Sequence, residues 1–113
     1  MSNSEKNIQA AIEIDLSKSG IVLRNQSGLF YTGVLKQTKE YGLILTNIRR
    51  VKVGINGISD LQYLGEGGQC VFLECKTETG KASDEQLNFI EQVKALGFKA
   101  GVVRSVAEAR ELL

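Results

Sequence analysis

The chain has 113 residues, 42% of them hydrophobic, with a net charge of +1 and no histidine. That length suits one domain, spanning 1–113, with a single core. The missing histidine excludes His-based general acid–base catalysis, Ser-His-Asp triads and His-ligated zinc, and the balanced charge gives no overall sign of a polyanionic partner.

The first nine residues are polar and lack an apolar signal core. No stretch approaches the roughly 20 apolar residues that span a bilayer. A cytoplasmic protein with no membrane partner is the expectation. Asn3 to Lys18 predicts a helix, with Ile8, Ile12 and Leu16 at helical spacing and Gly20 ending it. Ile21 to Arg24 predicts a short strand, and Ser27-Gly28 a turn. Leu29 to Leu35 and Leu43 to Ile48 are strand-like, rich in aromatic and β-branched residues, and joined through Lys39-Glu40-Tyr41-Gly42. After a loop at Gly54 to Gly57, Ser59 to Leu64 predicts a strand and Glu66-Gly67-Gly68 a tight turn. Gln69 to Lys76 contains the apolar run Cys70-Val71-Phe72-Leu73, as expected of a central strand covered on both faces. Ser83 to Leu96 predicts an amphipathic helix closed by Gly97. Phe98 to Arg104 follows as a buried strand, and Ser105 to Leu113 as a helix opened by a Ser105–Glu108 capping box. Strand, helix, strand at the end implies a parallel crossover, so the class is α/β with a central mixed sheet flanked by helices. Cys70 and Cys75 fall on opposite faces of one strand, which rules out a bridge between them and fits a reducing compartment.

Several polar residues aim at the core. Helix positions advance about 100° per residue, so Ile8, Ile12 and Leu16 lie within about 60° of Glu5, which sits mid-stripe. Such a carboxylate either frays outward or meets something that attracts negative charge. Gln86 is centred in the same way among Phe89, Ile90 and Val93, and Ser83-Asp84-Glu85-Gln86 is also a capping box; the two roles are compatible. Glu74 and Lys76 share one face at the C-terminal end of the central strand. Antiparallel pairing through the Glu66 to Gly68 turn places Asp60, at the start of the preceding strand, beside them. Two carboxylates and a lysine at one sheet edge suit a hard divalent cation, which polarises a phosphoryl oxygen and acidifies a bound water. The lysine would orient that water and stabilise developing charge.

At these residues the sequence resembles a known family. Gly57-Ile58-Ser59-Asp60, then Glu74-Cys75-Lys76, then Ser83-x-x-Gln86, resembles the VRR-NUC branch of the PD-(D/E)XK nuclease superfamily. Val102 to Val106, Ser4-Glu5-x-x-Ile8-Gln9, and Arg24-Asn25 followed by Gly28 resemble its other elements, so the likeness runs from Glu5 to Val106. The resemblance implies a restriction-endonuclease-like core. It implies Mg²⁺ (or Mn²⁺) held by Asp60, Glu74, the Cys75 carbonyl and Glu5, with Lys76 as catalytic lysine and Gln86 in support. It also implies a homodimeric, phage- or bacterial-type endonuclease acting on branched DNA, in the manner of a Holliday-junction resolvase.

Lys36 to Lys52 carries none of the motifs that the resemblance rests on, and Asn56 stands where a basic residue is common. Five basic residues in Lys36 to Lys52 against Glu40 give a local charge of +4. Arg49, Arg50 and Lys52 are therefore candidates for DNA phosphate contacts, as are Arg24, Asn25, Asn56 and Arg104. The competing readings are a monomeric flap or nicking nuclease, a catalytically silent DNA-binding module, and a protein-interaction domain.

Overall fold

A computed structural model describes residues 4–113. The expected start of the first helix at Asn3 lies outside them. Helix α1 (Glu5–Leu16) opens on Ser4, whose hydroxyl accepts from the Asn7 N–H at 3.2 Å, and buries Ile12 and Leu16. Strands β1 (Ile21–Arg24), β4 (Leu61–Leu64), β5 (Cys70–Cys75) and β6 (Lys99–Val103) form one sheet in the order β1-β4-β5-β6. The β1–β4 and β4–β5 pairs are antiparallel, the latter joined through a 3₁₀ turn at Glu66–Gly68. Helix α2 (Asp84–Ala95) crosses over to set β6 parallel to β5. Helix α3 (Val106–Leu112) closes the chain. The fold is thus α/β with a mixed sheet and flanking helices, consistent with a restriction-endonuclease-like core.

Alternation along β5 divides the interior. Val71, Leu73 and Cys75 face Ile12 and Leu16 of α1 and Ala109 of α3. Phe72 faces α2, meeting Phe89 edge-on with ring centroids 5.4 Å apart, beside Ile90 and Val93. Both faces are covered, as the apolar run predicted. Arg110 ties α3 to the end of α1, donating to the Asp15 carboxylate at 2.6 Å and to its carbonyl at 2.8 Å. Of the expected Ser105–Glu108 box only the serine half forms, at 3.1 Å to the Glu108 N–H.

Two expectations change. The expected strand from Ser59 begins at Leu61, because the Asp60 carboxylate, rather than a ladder carbonyl, takes the Cys75 N–H. The two strands expected at Leu29 to Leu35 and Leu43 to Ile48 are longer and stand apart from the main sheet. They are β2 (Gly28–Thr38) and β3 (Gly42–Val53), a separate two-stranded antiparallel ribbon. Its ladder shifts between Thr32 and Val34, where Asn47 adopts a left-handed φ of 51°. The ribbon stretches the molecule to a radius of gyration of 17.4 Å, against about 13 Å for a compact domain of 100 residues.

Candidate active site

The site lies at the end of β5, where the β4–β5 ladder runs out. The last ladder pair is Leu61↔Leu73, so one step further the strands set Asp60 across from Glu74. Asp60 Oδ2 accepts from the Cys75 N–H at 2.9 Å. In an extended strand a residue's N–H and C=O point to the same side, so the Cys75 carbonyl also faces Asp60. The loop leading in is shaped by Gly57, at φ 80°, where a Cβ would lie 2.2 Å from the Glu85 carbonyl oxygen. Only glycine lets this loop pass the start of α2.

Glu74 is 1% exposed. Its Oε1 accepts from Gln86 Nε2 at 2.7 Å and lies 3.7 Å from Lys76 Nζ, while Oε2 is buried with no hydrogen-bond partner among the described residues. Burial, then the neighbouring Asp60 charge, push the Glu74 carboxyl up to about 8, against the downward pull of Lys76. Gln86 fills both roles its position allowed. Its Oε1 accepts from the Ser83 N–H at 2.8 Å, completing the capping box, and its amide nitrogen reaches Glu74.

Lys76 is 15% exposed, and its ammonium sits 3.2 Å from Glu5 Oε1. Burial pulls it down, but the bond to Glu5 and the charges of Glu5, Glu74 and Asp60 outweigh that and leave it above its ordinary value. Lys76 is thus a fixed cation. Glu5, 46% exposed, neither frays away nor sinks into the core; it reaches round the strand end. Carboxylate oxygens of Glu5, Asp60 and Glu74 all lie within 4.8 Å of one another. Burial, together with the Asp60 and Glu74 charges, lifts the Cys75 thiol to about 12, so it supplies no thiolate nucleophile.

The Lys76 ammonium offsets only one of the three carboxylates gathered here, so the others repel unless a proton or a further cation lies among them. The unpartnered Glu74 oxygen, the hard oxygen donors and the depth of the site fit a divalent cation such as Mg²⁺. An open cleft of about 560 Å³ leads to Asp60 and Gln86, walled by Asn25, Ser83 and Phe30.

The family model of the VRR-NUC domain matches residues 3–107. The chain belongs to the VRR-NUC family. That family lies within the PD-(D/E)XK nuclease superfamily, so the chain carries a nuclease-type domain and DNA is its class of substrate. No curated protein and no solved structure matches it. No helix of the described residues is long and apolar enough to cross a membrane.

The VRR-NUC chain brings Glu5, Asp60, Glu74, Cys75, Lys76 and Gln86 together. The residues expected to contact DNA are scattered. Arg24 is a forked partner of Glu13, with two bonds of 2.6 Å. Arg104 points inward and donates to the carbonyls of Thr77 and Gly80, pinning the loop that follows Lys76. Asn25 holds the Asp60 segment: its N–H donates to the Asp60 carbonyl at 2.9 Å and its side chain to the Ser59 carbonyl at 3.2 Å. These three residues therefore have structural duties, which sequence spacing did not show because their partners are carbonyls or residues distant in the chain. Asn56 is exposed in the loop after β3. The basic group Arg49, Arg50 and Lys52 is not one surface. Arg49, opposite Thr32, shares the ribbon face of Phe30, whereas Arg50 and Lys52 pair with Tyr31 and Leu29 on the other.

Proposed function

We propose that this chain is a Mg²⁺- or Mn²⁺-dependent endodeoxyribonuclease that acts as a homodimer on branched DNA, in the manner of a Holliday-junction resolvase. The observation that carries the reading is the buried, half-unpartnered Glu74 set between Asp60, Gln86 and the ammonium of Lys76. Asp60, Glu74, the Cys75 carbonyl and Glu5 would hold the cation. When bound, the cation supplies Lewis acidity to the phosphoryl oxygen and lowers the pKa of water.

The remaining work falls to the chain. Gln86 fixes the Glu74 carboxylate in one rotamer and is itself fixed by the α2 cap. Lys76 orients the attacking water and balances the negative charge that builds on phosphorus as the new P–O bond forms and the leaving P–O bond breaks. Glu5 holds the ammonium in reach of that charge. Asn25 and Gly57 set the position of Asp60. The DNA backbone enters by the cleft under Phe30, with Arg49 on the same ribbon face placed for a phosphate contact.

The test compares labelled four-way junction, flap, nicked and plain duplex DNA at equal concentration with Mg²⁺. Preferential paired incision of the junction is expected. Equal cutting of all four would remove the branched-substrate claim, and preference for the flap by a monomer would favour the flap-nuclease alternative.

A further inference from the structure

Among the described residues, Phe30 is the only aromatic side chain lining the cleft that leads to Asp60 and Gln86. It stands near the base of the ribbon, paired with Val51, and is 41% exposed. Neither hydrophobic core cluster includes it, and it stacks on no second ring among the described residues. Packing therefore does not account for so large a side chain at this place. Its position is nonetheless fixed. Gly54, at φ 75°, lets the chain leaving β3 pass close to Gln26, where a Cβ would lie 2.2 Å from the Gln26 carbonyl oxygen. The base of the ribbon is thus held against the segment that enters β2, and Phe30 with it.

The other walls decide what this ring meets. The charged residues of the cleft are Asp60 and Glu85, and no lysine or arginine among the described residues lines it. A phosphate inside it would find no partner except a cation at Asp60. A neutral, flat group is better matched: Phe30 offers an apolar face, and Gln26 and Ser27 offer an amide and a hydroxyl to its edge. At about 560 Å³ the cleft lies within the roughly 300–1,000 Å³ of sites that hold one small ligand. It has room for a single nucleotide and not for a duplex.

We propose that Phe30 is a base-stacking residue of the DNA site: an unpaired nucleotide beside the scissile phosphate lays its base on the Phe30 ring. Paired bases are stacked within the duplex and present only their edges in the grooves, so this cleft takes a base that has left its partner. Extruding one costs least where pairing is already broken, which gives the site a physical reason to favour branched over plain duplex DNA. Arg49 lies one rung further out on the same ribbon face, placed for the next phosphate of that strand. The inference rests on the DNA substrate of the proposed function and names the feature recognised. It is read by binding without metal or cleavage, so its failure and that of the nuclease chemistry are told apart.

Binding of the full-length chain is measured by fluorescence anisotropy in EDTA. The probes are a labelled duplex with one unpaired thymidine, the same duplex with an abasic residue at that position, and the fully paired duplex. The wild type is expected to bind the unpaired base about 10-fold more tightly than the abasic form, the effect of one base–aromatic stack. Phe30→Leu keeps an apolar side chain but has no π-face; it should bring those two affinities within about twofold of each other and leave the paired duplex unchanged. Phe30→Tyr should restore the difference. Equal wild-type binding to the base-bearing and abasic DNAs overturns the proposal, and that comparison needs no variant to fold. A Phe30→Leu protein that keeps the wild-type difference, or that weakens on all three DNAs alike, also overturns it. Wild-type binding to none of the three overturns it together with the DNA substrate itself.

Discussion

Glu74 binds its proton more tightly in the folded chain, at about 8, than at its ordinary 4.5. Between those values the folded state holds more protons than the unfolded one, so this residue's contribution to stability is full below about 4.5 and is lost as pH rises through 8. In EDTA, urea denaturation should therefore show wild-type stability falling relative to Glu74→Gln as pH rises from 5 to 8. A difference that stays flat across that window would contradict the buried proton. A divalent cation held by Glu74 would take the place of that proton, so Mg²⁺ affinity by calorimetry should rise over the same range. Asp60, Glu74 and Lys76 were legible in the sequence because strand alternation and a tight turn suffice to place them. The inward turn of Arg104 was not, because its partners are the carbonyls of Thr77 and Gly80, which carry no residue signature. Arg104→Ala should loosen the loop after Lys76, lowering kcat more than it weakens DNA binding.

The two most informative elements are α2 and the loop that meets it. Ser83→Ala removes one bond of the α2 cap and should cost about 1 kcal/mol of stability while leaving the Gln86–Glu74 bond in place. Gln86→Ala keeps the backbone bond to Ser83 Oγ but removes the other half of the cap, from the Ser83 N–H, together with the bond to Glu74, and should lower cleavage as well as stability. Equal activity of the two variants would show that Gln86 acts only as a cap. Gly57→Ala forces a Cβ into the Glu85 carbonyl at a left-handed φ; thermal melts should show a loss of about 2 kcal/mol. The helices and the four sheet strands were readable from periodicity, since each packs one face or both on a single core. The standing of β2 and β3 apart from the sheet was not. Their apolar residues look like those of core strands, and a pattern records which side chains alternate without saying what covers them.

At the scale of the molecule, the core holds the chemistry and the ribbon extends away from it. Splitting Arg49 from Arg50 and Lys52 across the ribbon faces changes what DNA binding should show. Arg49→Ala should reduce the slope of log binding constant against log salt by about 0.9, the effect of one lost phosphate contact, and Arg50→Ala should leave it nearly unchanged. Equal effects would mean that DNA touches both faces of the ribbon.

The central claim is metal-dependent phosphodiester hydrolysis at the Asp60, Glu74 and Lys76 site. Single-turnover cleavage of four-way junction DNA by wild type and Lys76→Ala, in Mg²⁺ and in EDTA, tests it most directly. Cutting by the wild type in Mg²⁺ alone is predicted, with the Lys76→Ala rate lower by at least about 10²-fold and its DNA affinity retained. Cutting that persists in EDTA, or in Lys76→Ala at the wild-type rate, would contradict the account.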